Sequence, residues 1–115
     1  MDTRVYPNTQ LFINGEWRAA RSGRTMPVVN PASGDTIGSL AFAERADLDE
    51  ALEAAARGFE TWKRVSAYER SKIMRKAANL LRERIELVAT LMTMEQGKTL
   101  AEAKGEIHNG ADTID

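Results

Sequence analysis

The feature that most constrains this chain is a change of hydrophobic period near Asp47. Before it, apolar residues come in short runs broken by glycine, asparagine and proline. After it, they recur every three or four residues almost to Asp115. Alternation puts side chains on opposite faces of a strand, whereas the longer spacing gathers them on one helical face. The chain therefore reads as antiparallel strands to about residue 42, then three or four helices, an α+β arrangement. At 115 residues it holds one domain or less.

The strand half begins after a polar arm, residues 1–10. Asn14-Gly15 lies between Leu11–Ile13 and Glu16–Arg18. Such a pair supplies the two positive φ angles of a tight hairpin, with Phe12 opposite Trp17. Residues 19–24 read as a loop. Met26–Val29 reads as a strand, and the turn Asn30-Pro31-Ala32-Ser33-Gly34-Asp35 returns the chain along Thr36–Phe42. Gly38 and Ser39 weaken that return strand and predict a bulge or an edge.

In the helical half, Leu48, Ala51, Leu52, Ala55, Phe59 and Trp62 form one stripe. Acids at Asp47, Asp49 and Glu50 open that helix and Lys63 and Arg64 close it, matching its dipole. Ser66 and Glu69 form a capping-box pattern that starts a second helix at Ala67. Its stripe runs through Ile73, Ala77, Leu80 and Leu81, then Leu87, Val88, Leu91 and Met94, with a break predicted at 83–86. Gly97 stands where a helix-ending glycine belongs. Thr99 and Glu102 open a last helix whose stripe is Leu100, Ala103, Ile107, Ala111 and Ile114. No stop signal follows, which predicts a chain truncated within a larger domain.

Little in the chain points to chemistry of its own. There is no cysteine and one histidine, so thiol catalysis is excluded and His108 alone makes neither a triad nor a metal site. Gly97-Lys98-Thr99 suggests a phosphate loop, but position 92 is methionine where the pattern needs glycine. Gly105 and Gly110 form no dinucleotide fingerprint and predict close packing against another element. Met74, Met92 and Met94 read as core. The basic cluster of Arg64, Arg70, Lys72, Arg75 and Lys76 is interleaved with Glu60 and Glu69 and reads as helix surface. A net charge of -1 argues against a nucleic-acid partner. The absence of a long apolar run argues against a membrane partner and makes the cytoplasm the default location.

Taken together, Leu11–Trp17, Asn30–Asp35, Ala51–Trp62, Leu80–Arg84 and Leu91–Lys98 resemble, in order and spacing, the aldehyde dehydrogenase superfamily. Glu95–Lys98 followed by Leu100–Glu106 is most similar to succinate-semialdehyde dehydrogenases and related semialdehyde enzymes. Thr99 stands where many relatives carry proline. The resemblance implies a Rossmann-like cofactor domain of which residues 11–115 are the N-terminal portion, within an α/β enzyme several times longer. It implies NAD or NADP as cofactor of the parent, with none bound by this chain alone. It also implies a homo-oligomer, dimer or tetramer, of the full enzyme. In such enzymes a cysteine thiolate attacks the aldehyde and the nicotinamide takes the hydride. A glutamate then activates the water that releases the carboxylate. None of these catalytic or cofactor-binding residues can be placed here.

One site is implied in part. Many relatives hold a monovalent cation with a backbone carbonyl before Asn-Pro and a carboxylate just before Gly-Lys. Carried over, these are Val28 or Val29 and Glu95. The competing reading of the chain is a free-standing helical interaction or oligomerisation module without catalysis.

Overall fold

A computed structural model describes residues 6–115. Its elements are β1 (Leu11–Ile13), β2 (Glu16–Arg18), β3 (Thr25–Val29), β4 (Thr36–Ala41), α1 (Arg45–Trp62), α2 (Ala67–Glu83), α3 (Ile85–Gln96) and α4 (Leu100–Ile114). They form two compact units. One holds Pro7–Val28 and Thr36–Val65; the other holds Tyr6, Val29–Asp35 and Ser66–Asp115.

In the strand-bearing unit, β1 and β2 pair antiparallel with Phe12 opposite Trp17. Asn14 at φ 54° and Gly15 at φ 79° make the tight turn. The two rings stand 4.8 Å apart, tilted, and both are largely exposed. β3 and β4 form a second two-stranded sheet. The weakness at Gly38-Ser39 marks an edge, and that edge is occupied. The Thr9 N–H donates to the Ser39 carbonyl at 2.8 Å, and the Ala41 N–H donates to the Thr9 carbonyl at 2.8 Å. Asn8 adds its side-chain oxygen to the Ser39 N–H.

The α1 helix starts at Arg45, which puts Asp47 in its first turn as expected, where it forms a capping box with Glu44 and also serves as an anchor. Its side chain is fully buried. One oxygen accepts from the Arg21 N–H at 3.0 Å and the Arg18 guanidinium at 2.9 Å. The other accepts from the Glu44 N–H at 3.0 Å, closing the helix entry. Arg18 also reaches Glu50 at 2.9 Å, as does Arg21. Five N–H groups of Arg18 and Arg21, donating to Asp47 and Glu50, thus fix β2 and the loop after it on the first turns of α1. At the other end the helix stops at Trp62, so Lys63 and Arg64 fall beyond its last turn; Lys63 pairs with Glu60 at 2.6 Å. The expected stripe is present but bare. Leu48, Leu52 and Phe59 are 56%, 59% and 61% exposed, and Asp47 is the one buried residue of α1.

The helical unit has its own small core. Ser66 caps α2 by accepting from the Glu69 N–H at 3.2 Å. The reciprocal half of the capping box is replaced by a Glu69–Lys72 ion pair at 2.8 Å. Arg84, at φ -100° and ψ 14°, breaks the helical run where expected. Ala89, Ala103 and Ile107 form the buried centre, and Leu81, Ile85, Val88 and Met92 pack against it. Ala78 and Ala111 are also fully buried. The expected α2 stripe is therefore corrected. Ile73 and Ala77 are exposed and Ala78 is buried in their stead, while Leu80 and Leu81 are half-buried as expected, Leu81 against this core; Met74, read as core, is exposed. Small residues let helices approach closely, so the face with alanine wins over the face with larger side chains. Arg82 bonds Asp112 at 2.8 Å and Asp115 at 3.3 Å beside this contact, tying α2 to α4. Gly105 and Gly110 do not pack closely here; a Cβ at either would meet nothing within 4 Å.

Gly97 ends α3 at φ 73°, and a Cβ there would lie 2.9 Å from the Pro31 ring. The glycine is thus required twice, by backbone conformation and by the approach of the 30–35 turn. Replacing it with alanine is expected to destabilise the helical unit by about 1–2 kcal/mol from the left-handed conformation alone. Gly105→Ala should do the reverse, by up to about 1 kcal/mol. Denaturant melts of the two variants check the opposite signs.

Asp47 gives a second expectation. The backbone N–H of Glu44, and then the Arg18 guanidinium, lower its pKa to about 2. Its folded value lies below its unfolded one, so its stabilisation is complete above about pH 4 and is lost as pH falls toward 2. Trp17 fluorescence followed through an acid titration should show this transition, and Asp47→Asn should weaken the fold at neutral pH and flatten the acid dependence.

Candidate functional site

Of the residues implied for a cation site, Glu95 lies at the end of α3 and Val29 at the end of β3. Glu95 lies in the last turn of that helix and is exposed. That turn carries no basic residue. A helix C-terminus bears partial negative charge on its free carbonyls, so a carboxylate there is the disfavoured sign. The nearby Lys98 does not offset it, because its ammonium is bonded to Glu106 on α4. Glu95 instead accepts a hydrogen bond from the Tyr6 hydroxyl. A phenol adds no net charge, so the locality stays anionic.

Val29 closes β3 and belongs to the same unit as Glu95. The turn that follows it is built by Asn30. Its side-chain oxygen accepts from the Ala32 N–H at 2.9 Å, and its own N–H donates to the Asp35 carbonyl at 2.9 Å. Pro31 in that turn meets Gly97, two residues beyond Glu95. Val28 belongs to the strand-bearing unit. Carboxylate and backbone carbonyl are hard oxygen donors, the set suited to an alkali or alkaline-earth cation. In this respect the residues fit the implied ion. Thr93, whose buried hydroxyl has no partner, is two positions from Glu95 and so faces away from it.

The other motifs resolve as caps and surface. Gly97 ends α3, donating its N–H to Thr93 at 2.9 Å. Thr99 then starts α4. Its hydroxyl accepts from the Glu102 N–H at 3.2 Å, and Glu102 returns a bond from the Thr99 N–H at 3.2 Å. These bonds hold the Glu102 pKa below the ordinary carboxylate range. Gly97-Lys98-Thr99 is therefore the joint between two helices. His108 is exposed on α4. Gly105 and Gly110 lie inside the same helix, so they form no turn that could cradle a dinucleotide. Among the described residues no group of three acids or histidines is placed to hold a metal ion. None of their helices is long and apolar enough to cross a membrane.

Tyr6 was invisible to sequence reasoning because it falls in the polar stretch before the first strand. The one signal was its neighbour. A residue before proline is held extended, which presents its side chain at a defined place.

Comparison with known proteins agrees with this architecture. The aldehyde dehydrogenase family matches residues 17–115. A 4-(hydroxymethyl)benzenesulfonate dehydrogenase of Comamonas testosteroni is 42% identical over 114 residues, 99% of this chain and 24% of the relative. An NADP-type succinate-semialdehyde dehydrogenase of Escherichia coli is 44% identical over 106 residues, 92% of this chain and 22% of the relative. The crystal structure of an NAD-dependent aldehyde dehydrogenase from Sinorhizobium meliloti superposes with a TM-score of 0.92 at 35% identity, covering 97% of this chain and 23% of that one. The chain thus spans about a quarter of the length of the curated relatives it matches. Folded as strands and helices that recur in those enzymes, and matched over nearly all its length, this chain belongs to the aldehyde dehydrogenase family.

Proposed function

We propose that this chain supplies the N-terminal portion of the cofactor-binding domain of an NAD(P)-dependent aldehyde dehydrogenase, with residues 1–10 as its arm. The reaction is oxidation of an aldehyde to a carboxylate, and a semialdehyde is the substrate class favoured. The observation that carries this reading is the family match over residues 17–115. The substrate class draws on the named activities of two relatives, succinate-semialdehyde and glutarate-semialdehyde dehydrogenases. NAD or NADP serves the whole enzyme, which works as a cytoplasmic homo-oligomer.

In this reading the 115 residues position chemistry that happens elsewhere. They contain no cysteine, so the thiolate that attacks the aldehyde must come from further along the parent chain. The present chain binds no cofactor and turns nothing over. Its own contribution is a scaffold: a clamped strand unit, a helical unit with a small core, and a bare apolar face on α1. A monovalent cation completes the junction of the 30–35 turn with α3, held by the Glu95 carboxylate and a carbonyl of β3. Such an ion would neutralise charge gathered at the end of α3.

The second reading, a free-standing interaction module, draws on the closed core of the helical unit, where Ala78, Ala89, Ala103 and Ala111 are each fully buried. Activity separates what the two readings share from what would overturn both. Purified chain mixed with succinate semialdehyde or glutarate semialdehyde and either nicotinamide cofactor should produce no NAD(P)H above a protein-free control. The readings part at the gene. An open frame that continues beyond Asp115 and encodes a cysteine supports the enzyme fragment, whereas a stop codon there supports the module.

A further inference from the structure

We propose that Asn14-Gly15 is a site of spontaneous covalent modification. The hairpin turn converts to aspartate and isoaspartate with water as the only co-reactant, and the fold spares the second Asn-Gly pair, Asn109-Gly110.

The chain has five asparagines. In the reaction the main-chain nitrogen of the next residue attacks the side-chain amide carbon. The new C–N bond closes a succinimide ring, and ammonia leaves carrying the proton of that N–H. Water then opens one of the two ring carbonyls. One opening gives aspartate; the other gives isoaspartate, whose main chain runs through the side-chain carbon. A Cβ on the following residue would shield the attacking nitrogen, so glycine is the favoured neighbour. Asn30 is followed by proline, which has no N–H to lose. Asn8 and Asn79 are followed by threonine and leucine. Two pairs remain.

They differ in what holds them. Asn14 and Gly15 are both exposed, and a Cβ built on Gly15 would meet nothing within 4 Å. Among the described residues, neither the Gly15 N–H nor the Asn14 side chain has a hydrogen-bond partner. Ring closure needs rotation of the Asn14 backbone, and the strands that resist it are three residues each. A pair of strands that short opens locally at little cost. Asn109 is exposed too, but it lies inside α4, where the Gly110 N–H is bonded to the carbonyl four residues back. Freeing that N–H means unwinding the helix between Ile107 and Ala111, which are 4% and 0% exposed. Accessibility alone would make the two pairs equal, and the backbone separates them.

Isoaspartate lengthens the main chain of a two-residue turn whose length fixes the register. β2 cannot follow, because Arg18 ties it to Asp47. β1 therefore slips, and the Phe12–Trp17 ring contact at 4.8 Å is lost. Plain aspartate keeps the turn, since Asp-Gly suits it as Asn-Gly does.

The test is a timed incubation of the purified chain at mildly alkaline pH, followed by digestion and fragmentation mass spectrometry to locate aspartate and isoaspartate. In the folded chain Asn14 should convert about tenfold or more faster than Asn109, a ratio set by the difference in local opening. In denaturant the two rates should converge, because only the local sequence then governs them. Aged chain enriched by ion exchange in isoaspartate at position 14 should lose the nuclear Overhauser contact between the Phe12 and Trp17 rings. Asn14→Asp, which carries the same charge in a turn of unchanged length, should keep it. Equal rates at Asn14 and Asn109 in the folded chain, or a difference that persists undiminished in denaturant, overturns the selectivity assigned to the fold. A Phe12–Trp17 contact that survives in the isoaspartate form overturns the slip of β1.

Discussion

A buried carboxylate anchors the strand-bearing unit. Asp47 is the largest fully buried side chain among the described residues, and it sits in a shell of donors from Glu44, Arg21 and Arg18. Burying an ion is costly unless nearly every lone pair finds a donor. Here the donors are backbone N–H groups and a guanidinium, which also reaches Glu50. Two three-residue strands and their turn offer little hydrocarbon to bury, and Phe12 and Trp17 stay on the surface. Polar satisfaction at one acid thus does the holding that a core would do in a larger unit.

The helical unit solves the same shortage differently. Alanines at 78, 89, 103 and 111 let its helices approach, and Ile107 fills the centre. That core is thin, and it leaves the most apolar stripe of the chain untouched. Covering the exposed part of Leu48, Leu52 and Phe59 would add about 1–2 kcal/mol each. Together they are a sizeable fraction of the stability of an ordinary domain, about 5–15 kcal/mol. A surface of that value is made to be covered. Relatives about four times longer have the chain to cover it.

The sequence announced what local physics decides. Asn14-Gly15 marked its turn because few other residues accept two positive φ angles, and both angles are positive in the structure. Gly97, the Thr99–Glu102 box and the break at Arg84 were legible for the same reason: each is settled within one helical turn. Tertiary choices were not legible. Ile73 and Met74 read as core, yet the Ala78 side of α2 is the one buried, because closeness of approach counted for more than hydrophobicity. Asp47 read as a dipole acid and is a buried hub, since its partners come from 26 and 29 positions away. At the candidate site, Glu95 and Val29 were found through family resemblance, while Tyr6 carries no signal in its residue type.

The bare α1 stripe of Leu48, Leu52 and Phe59 is suited to lie against further polypeptide, as the parent enzyme proposed above would supply. Sedimentation of the purified chain over a wide range of concentration tests it most directly. Self-association should grow with concentration and be abolished by Leu52→Ser with Phe59→Ser, at unchanged helix content. A wild-type chain that stays monomeric throughout, with a sharp and reversible melt independent of concentration, would contradict it.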